Sequence, residues 1–171
     1  MAKSVSRAAL LHLIVICGVH YVDAQIDTTA PVVTAVSANP TAIDVTSSSE
    51  YVQLSVTFTD DISGYGGYVY SKYVSPTGNH EMSCNDYPWT GNDDIEGELS
   101  GTVTTNDDST GLCTWSDGSE GGTWNLDWLS IRDAVGNERK ICRDGCTSCS
   151  GCSQTMDLSA CDLSITSTGE D

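Results

Sequence analysis

Gly122-Thr123-Trp124-Asn125-Leu126-Asp127-Trp128-Leu129-Ser130-Ile131-Arg132-Asp133-Ala134-Val135-Gly136-Asn137 changes phase midway, and that change decides how the chain is read. Trp124 and Leu126 share one face and Asn125 and Asp127 the other, the two-residue period of a half-buried β-strand. Trp128 and Leu129 are then adjacent, and Ile131 follows the phase of Leu129. A one-residue slip of this kind predicts a β-bulge. Asp133 to Asn137 closes the strand as a turn, with Gly136-Asn137 suited to positive φ.

Working outward, Tyr51 to Thr59 has the same period: Val52, Leu54, Val56 and Phe58 against Gln53, Ser55, Thr57 and Thr59. Val32 to Ala38 reads as a first strand, and Asn39-Pro40 turns the chain toward a short edge piece with Ile43 and Val45. Tyr68 to Val74 is rich in β-favouring side chains, and Leu99–Thr104 and Glu138–Cys142 complete the set. Asn79 to Glu96 and Asn106 to Gly121 keep no period and are expected to be loops. Short strands, frequent turn residues and no helical pattern predict an all-β antiparallel β-sandwich over residues 25–142. A Cys-rich irregular tail over 143–171 has too few large apolar side chains to fold without cross-links.

Lys3 and Arg7, an apolar run from Ala8 to Val19 and the small-residue Val22-Asp23-Ala24 predict a signal peptide over 1–24, hence a secreted or cell-surface chain without membrane insertion after cleavage. Cleavage leaves five basic against 23 acidic side chains, a net charge of −18. That balance argues against nucleic acid as a partner and suits divalent cations. Seven of the eight cysteines remain: Cys84, Cys113, Cys142, Cys146, Cys149, Cys152 and Cys161. In a secreted chain they predict disulfides, with one thiol left over and a Cys84–Cys113 bridge tying the two loops. Cys146-x-x-Cys149-x-x-Cys152 also has metal-ligand spacing, but no second knuckle or nearby histidine supports zinc.

Asp27-Thr28-Thr29-Ala30-Pro31, Asp60-Asp61-Ile62-Ser63-Gly64, Ser75-Pro76-Thr77-Gly78, Ser100-Gly101-Thr102-Val103, Gly122-Thr123-Trp124 and Asp133-Ala134-Val135-Gly136-Asn137 occur in that order. Together they resemble the immunoglobulin-like or fibronectin-like β-sandwich repeats of bacterial and algal cell-surface and secreted proteins. The resemblance implies that Asp27, Asp60, Asp61, Asp133 and Asn137 gather at one pole of the sandwich, where such repeats hold Ca²⁺. The competing expectation is that Asp60 and Asp133 only cap their own turns.

Among the aromatics, Trp124 is expected in the core, whereas Trp89, Trp115 and Trp128 are candidates for stacking on a glycan. Catalysis has little support: His80 is the only histidine after cleavage, and no nucleophile-elbow or phosphate-loop motif is present. The expected function is a non-enzymatic extracellular module for adhesion, matrix building or structural spacing, stiffened by Ca²⁺, with an extracellular matrix or cell-surface component as partner. The alternatives are a carbohydrate-binding module and an accessory domain of a larger secreted enzyme.

Overall fold

A computed structural model describes residues 26–86, 97–105, 113–147 and 149–168. The described residues form eleven strands: β1 (Val32–Asn39), β2 (Ala42–Asp44), β3 (Glu50–Thr59), β4 (Tyr65–Val74), β5 (Glu81–Asp86), β6 (Ser100–Thr104), β7 (Cys113–Trp115), β8 (Gly122–Asp133), β9 (Glu138–Arg143), β10 (Gln154–Met156) and β11 (Leu163–Thr166). In one sheet β3 lies between β1 and β6, and β7 pairs with its first residues. The other runs β5-β4-β8-β9-β10, with β11 on the first residues of β8 and β2 beside β11. The chain is all-β, as its periodicity predicts, but its pairing is mixed: β10–β9 and β11–β2 are parallel.

The two sheets meet through alternate side chains. Val52, Leu54, Val56 and Phe58 of β3 are buried, while Gln53, Ser55 and Thr57 between them are half-buried on the other face. There the Ser55 and Thr57 hydroxyls pair with those of Thr104 and Thr102 at 2.8 Å. β4 alternates in the same way, turning Tyr65, Val69 and Tyr73 inward. Phe58 lies 5.5 Å from Tyr65 between ring centroids, and Trp115 meets Tyr73 and Trp124 edge-on at 5.5 and 6.0 Å. Each such side chain contributes roughly 1.5–3 kcal/mol by leaving water.

The bulge lies where the phase slips. Lys72 of β4 stands opposite Trp128, but Tyr73 stands opposite Leu126, so Asp127 has no counterpart. Asp127 and Trp128 both end half-buried while Leu129 returns to the core. In the turn that follows, Gly136 takes positive φ and Asn137 does not.

Two expectations need correction, that of the loops and that of the tail. The stretches read as loops each hold a strand: β7 has three residues, too few to show a period, and β5 has only Met82 and Cys84 as apolar residues among polar ones; residues 87–96 and 106–112 lie outside the described residues. The expected Cys84–Cys113 bridge is present, and because it joins β5 to β7 it links one sheet to the other. The tail is not an irregular appendage, since Leu158, Cys161, Leu163 and Ile165 are buried in the common core. The physical reason is β11: Leu163 and Ile165 alternate with exposed Ser164 and Thr166 and complete the sheet beside Trp124.

At the pole where β4 ends, Glu120 is buried and accepts hydrogen bonds from the Thr77 amide and hydroxyl, both at 2.9 Å. Burial alone would raise its pKa, but the Ser75 and Thr77 hydroxyls, the Thr77 amide and the charge of nearby His80 outweigh it and hold the carboxyl below its ordinary value. Trp115 is the largest of the fully buried side chains. Trp115→Ala should cost about 3–5 kcal/mol, read as a lower urea midpoint with an unchanged slope.

Candidate metal centre

Three chain segments converge at the pole where β3 ends and β4 begins. The lead-in before β1 is held there by Arg139, whose Nη2 donates to Ala30 O at 3.0 Å and whose Nε donates to Pro31 O. Asn137 Nδ2 donates to Asp27 O at 3.3 Å and Thr29 O at 3.4 Å. The Asp60 loop is drawn against its neighbours because Gly64 and Gly66 have no side chain. A Cβ on Gly64 would lie 2.3 Å from Gly97 O, and one on Gly66 2.1 Å from Asp133 O. Gly64 also holds φ +72°, which other residues adopt only under strain.

Side-chain oxygens of Asp27, Asp60 and Asp133 come within 4.8 Å of one another. Each carboxylate is aimed by backbone amides. Asp60 Oδ1 accepts from Ile62, Ser63 and Gly64 at 3.2, 3.0 and 2.8 Å. Asp133 Oδ1 accepts from Val135 and Asn137 at 3.0 and 2.7 Å, and its Oδ2 from Asn137 Nδ2 at 2.6 Å. Asp27 spans two segments, with Oδ1 on the Thr29 amide at 2.9 Å and Oδ2 on the Ser63 amide at 3.0 Å. Asp60 Oδ2 differs from these: it is buried and has no hydrogen-bond partner. The ion pairs seen among the described residues, Lys72–Glu81, Arg132–Glu138 and Arg143–Asp162, involve none of the three acids.

Turn capping therefore explains one oxygen of Asp60 and both of Asp133, but not why a third carboxylate stands beside them. Three negative charges this close repel one another unless a cation or proton lies between them. A hard cation such as Ca²⁺ takes carboxylate and carbonyl oxygens from separate loops, and the donors here are of that kind. Asp61 is exposed and lies outside the cluster, because the turn faces it toward solvent. Asn137 joins the pole as an amide donor to Asp133, Asp27 and Thr29, positioning the acids. The amides of residues 62–64 and the close approach of Gly64 and Gly66 follow from turn geometry and leave no mark in the spacing of the acids.

The glycan candidates separate. Trp89 lies outside the described residues, as does the predicted signal peptide. Trp115 is excluded as an exposed platform because it is fully buried against Tyr73 and Trp124. Trp128 remains half-buried on the outer face, stacked on Tyr70 at 5.1 Å with Lys140 Nζ 4.1 Å from its centroid. Disulfides join Cys84 to Cys113, Cys142 to Cys152 and Cys146 to Cys149, a set that suits an oxidising compartment. Asp127 lies near Cys146 and Cys149, but their bond to each other uses both sulfurs. Cys161, grouped with the disulfide cysteines on sequence, keeps a free thiol: it is walled into the core, and burial pushes its pKa up to about 11.

Compared with known protein families, curated proteins and solved structures, the chain matches none.

The Ser63 hydroxyl beside Asp27, with the Thr29 and Ser63 amides, outweighs burial and lowers the Asp27 pKa. A depressed carboxyl contributes stability above its unfolded pKa, which is lost as pH falls through the folded value. Asp27→Asn should therefore be destabilising at pH 7 in chelator, with the gap to wild type closing below about pH 4 in urea titrations.

Proposed function

We propose that this chain is a non-enzymatic extracellular module of immunoglobulin type whose acidic pole binds Ca²⁺, and that the bound ion stiffens it for adhesion, matrix building or spacing. The strand order supports the sandwich type: β1-β3-β6 facing β5-β4-β8-β9 corresponds to the A-B-E and C′-C-F-G halves of an immunoglobulin sandwich. The predicted signal peptide and the three disulfides support an extracellular location.

The observation that carries the calcium reading is the convergence of Asp27, Asp60 and Asp133 around a buried carboxylate oxygen with no partner. The residues fit the ion in charge and ligand type, and backbone carbonyls and water would complete its shell. A bound ion would tie the lead-in, the β3–β4 loop and the β8–β9 turn, three segments far apart in sequence. Its partner, on this reading, is an extracellular matrix or cell-surface component.

Millimolar Ca²⁺ should raise the midpoint of thermal unfolding by roughly 5 °C, taking the affinity of extracellular calcium modules as a guide. EDTA should reverse the shift, and Asp60→Asn and Asp133→Asn should each abolish it and the calorimetric heat of Ca²⁺ binding. No heat and no shift at 5 mM Ca²⁺, about ten times the middle of that affinity range, would refute the reading.

A further inference from the structure

The second site-like feature is a groove of about 580 Å³ on the outer face of the β5-β4-β8-β9 sheet, within the size range of small-ligand sites. It lies toward the β4–β5 turn, at the other end of β4 from the acidic pole. Lys72, Glu81, Asp127, Trp128 and Lys140 line it, and Cys149 of the disulfide-bonded loop forms one wall. The bulge in β8 places Asp127 and Trp128 side by side there, where a regular strand would send one of them to the opposite face. The wall is fixed as well: Cys149 is bonded to Cys146, and its Sγ is 3.7 Å from Asp127 O.

We infer that this groove binds a neutral saccharide. Its charged side chains are two ammoniums and two carboxylates, so it has no net preference for an ion, in a chain whose net charge is −17. Lys72 and Glu81 pair with each other, and a ligand rich in hydroxyls adds to both, donating to Glu81 and Asp127 and accepting from Lys72 and Lys140. Phosphate or sulfate would meet the carboxylates, and a cationic peptide the lysines. The Trp128 ring supplies the apolar surface on which the C–H face of a sugar packs. Tyr70 is stacked on the same indole, so the sugar takes the face that Lys140 covers, and Lys140 gives up the indole and Ser150 O for a ligand hydroxyl.

The test is native affinity electrophoresis of the full mature chain in gels containing soluble β-glucan, galactomannan or xylan, with alginate as the anionic comparison. Retardation is expected in at least one neutral gel, reduced at least tenfold in apparent affinity by Trp128→Ala and severalfold by Asp127→Asn, and largely kept in Trp128→Phe. Asp127→Asn keeps the side-chain volume and Trp128→Phe keeps an aromatic ring, so the test stays decisive if Trp128→Ala fails to fold. The Asp133→Asn variant, altered only at the acidic pole, should be retarded like wild type in EDTA. The inference is overturned by free migration in all neutral gels, by retardation in alginate alone, or by retardation that Trp128→Ala and Asp127→Asn leave intact.

Discussion

Trp115 is where the two sheets become one body. It belongs to a strand of only three residues, paired with the start of β3, yet its ring reaches across to Tyr73 of β4 and Trp124 of β8. Two residues before it, Cys113 is bonded to Cys84 of β5, so the ring and the cross-link connect the same two layers at neighbouring points. An indole here buries more apolar surface than any other side chain could, and edge-to-face contacts give it a defined orientation. The tail depends on the same packing, because β11 lies along β8 at Trp124 and adds Leu163 and Ile165 to that core.

Both candidate sites arise where the chain departs from regular strand geometry. At the acidic pole, glycines at 64 and 66 remove the Cβ atoms that would keep the β3–β4 loop away from Gly97 and Asp133. On the outer sheet face, one extra residue in β8 turns an acid and an indole to the same side. A regular strand would have kept the carboxylates apart in the first case and alternated the side chains in the second. Stability and site geometry are thus separable: the alternating apolar residues build the core, and the local exceptions aim the polar groups.

The sequence discloses what depends on period. Val52 to Phe58, Trp124, Leu126 and the slip at Trp128 could be read directly, because burial on one face of a strand leaves a two-residue signature. β7 could not: three residues hold too little alternation to stand out, so Trp115 looked like a loop aromatic. The tail hides its strand for a related reason: its few apolar residues are diluted among Ser, Thr and Gly, although Leu163 and Ile165 alternate with exposed Ser164 and Thr166. At the acidic pole, the meeting of Asp27, Asp60 and Asp133 has no signature in period or spacing, because the three acids come from segments far apart in the chain. The amides that aim Asp60 and the exclusion of Asp61 follow from turn geometry, which has no signature in residue type.

The bridge between Cys84 and Cys113 closes a ring of chain containing β6 and every residue between β5 and β7. If a protease severed one peptide bond inside that ring, the fragments would stay covalently joined, with Trp115 still seated between its partners. Only a reductant would then release them, so damage to this part of the backbone stays hidden until the protein leaves an oxidising environment.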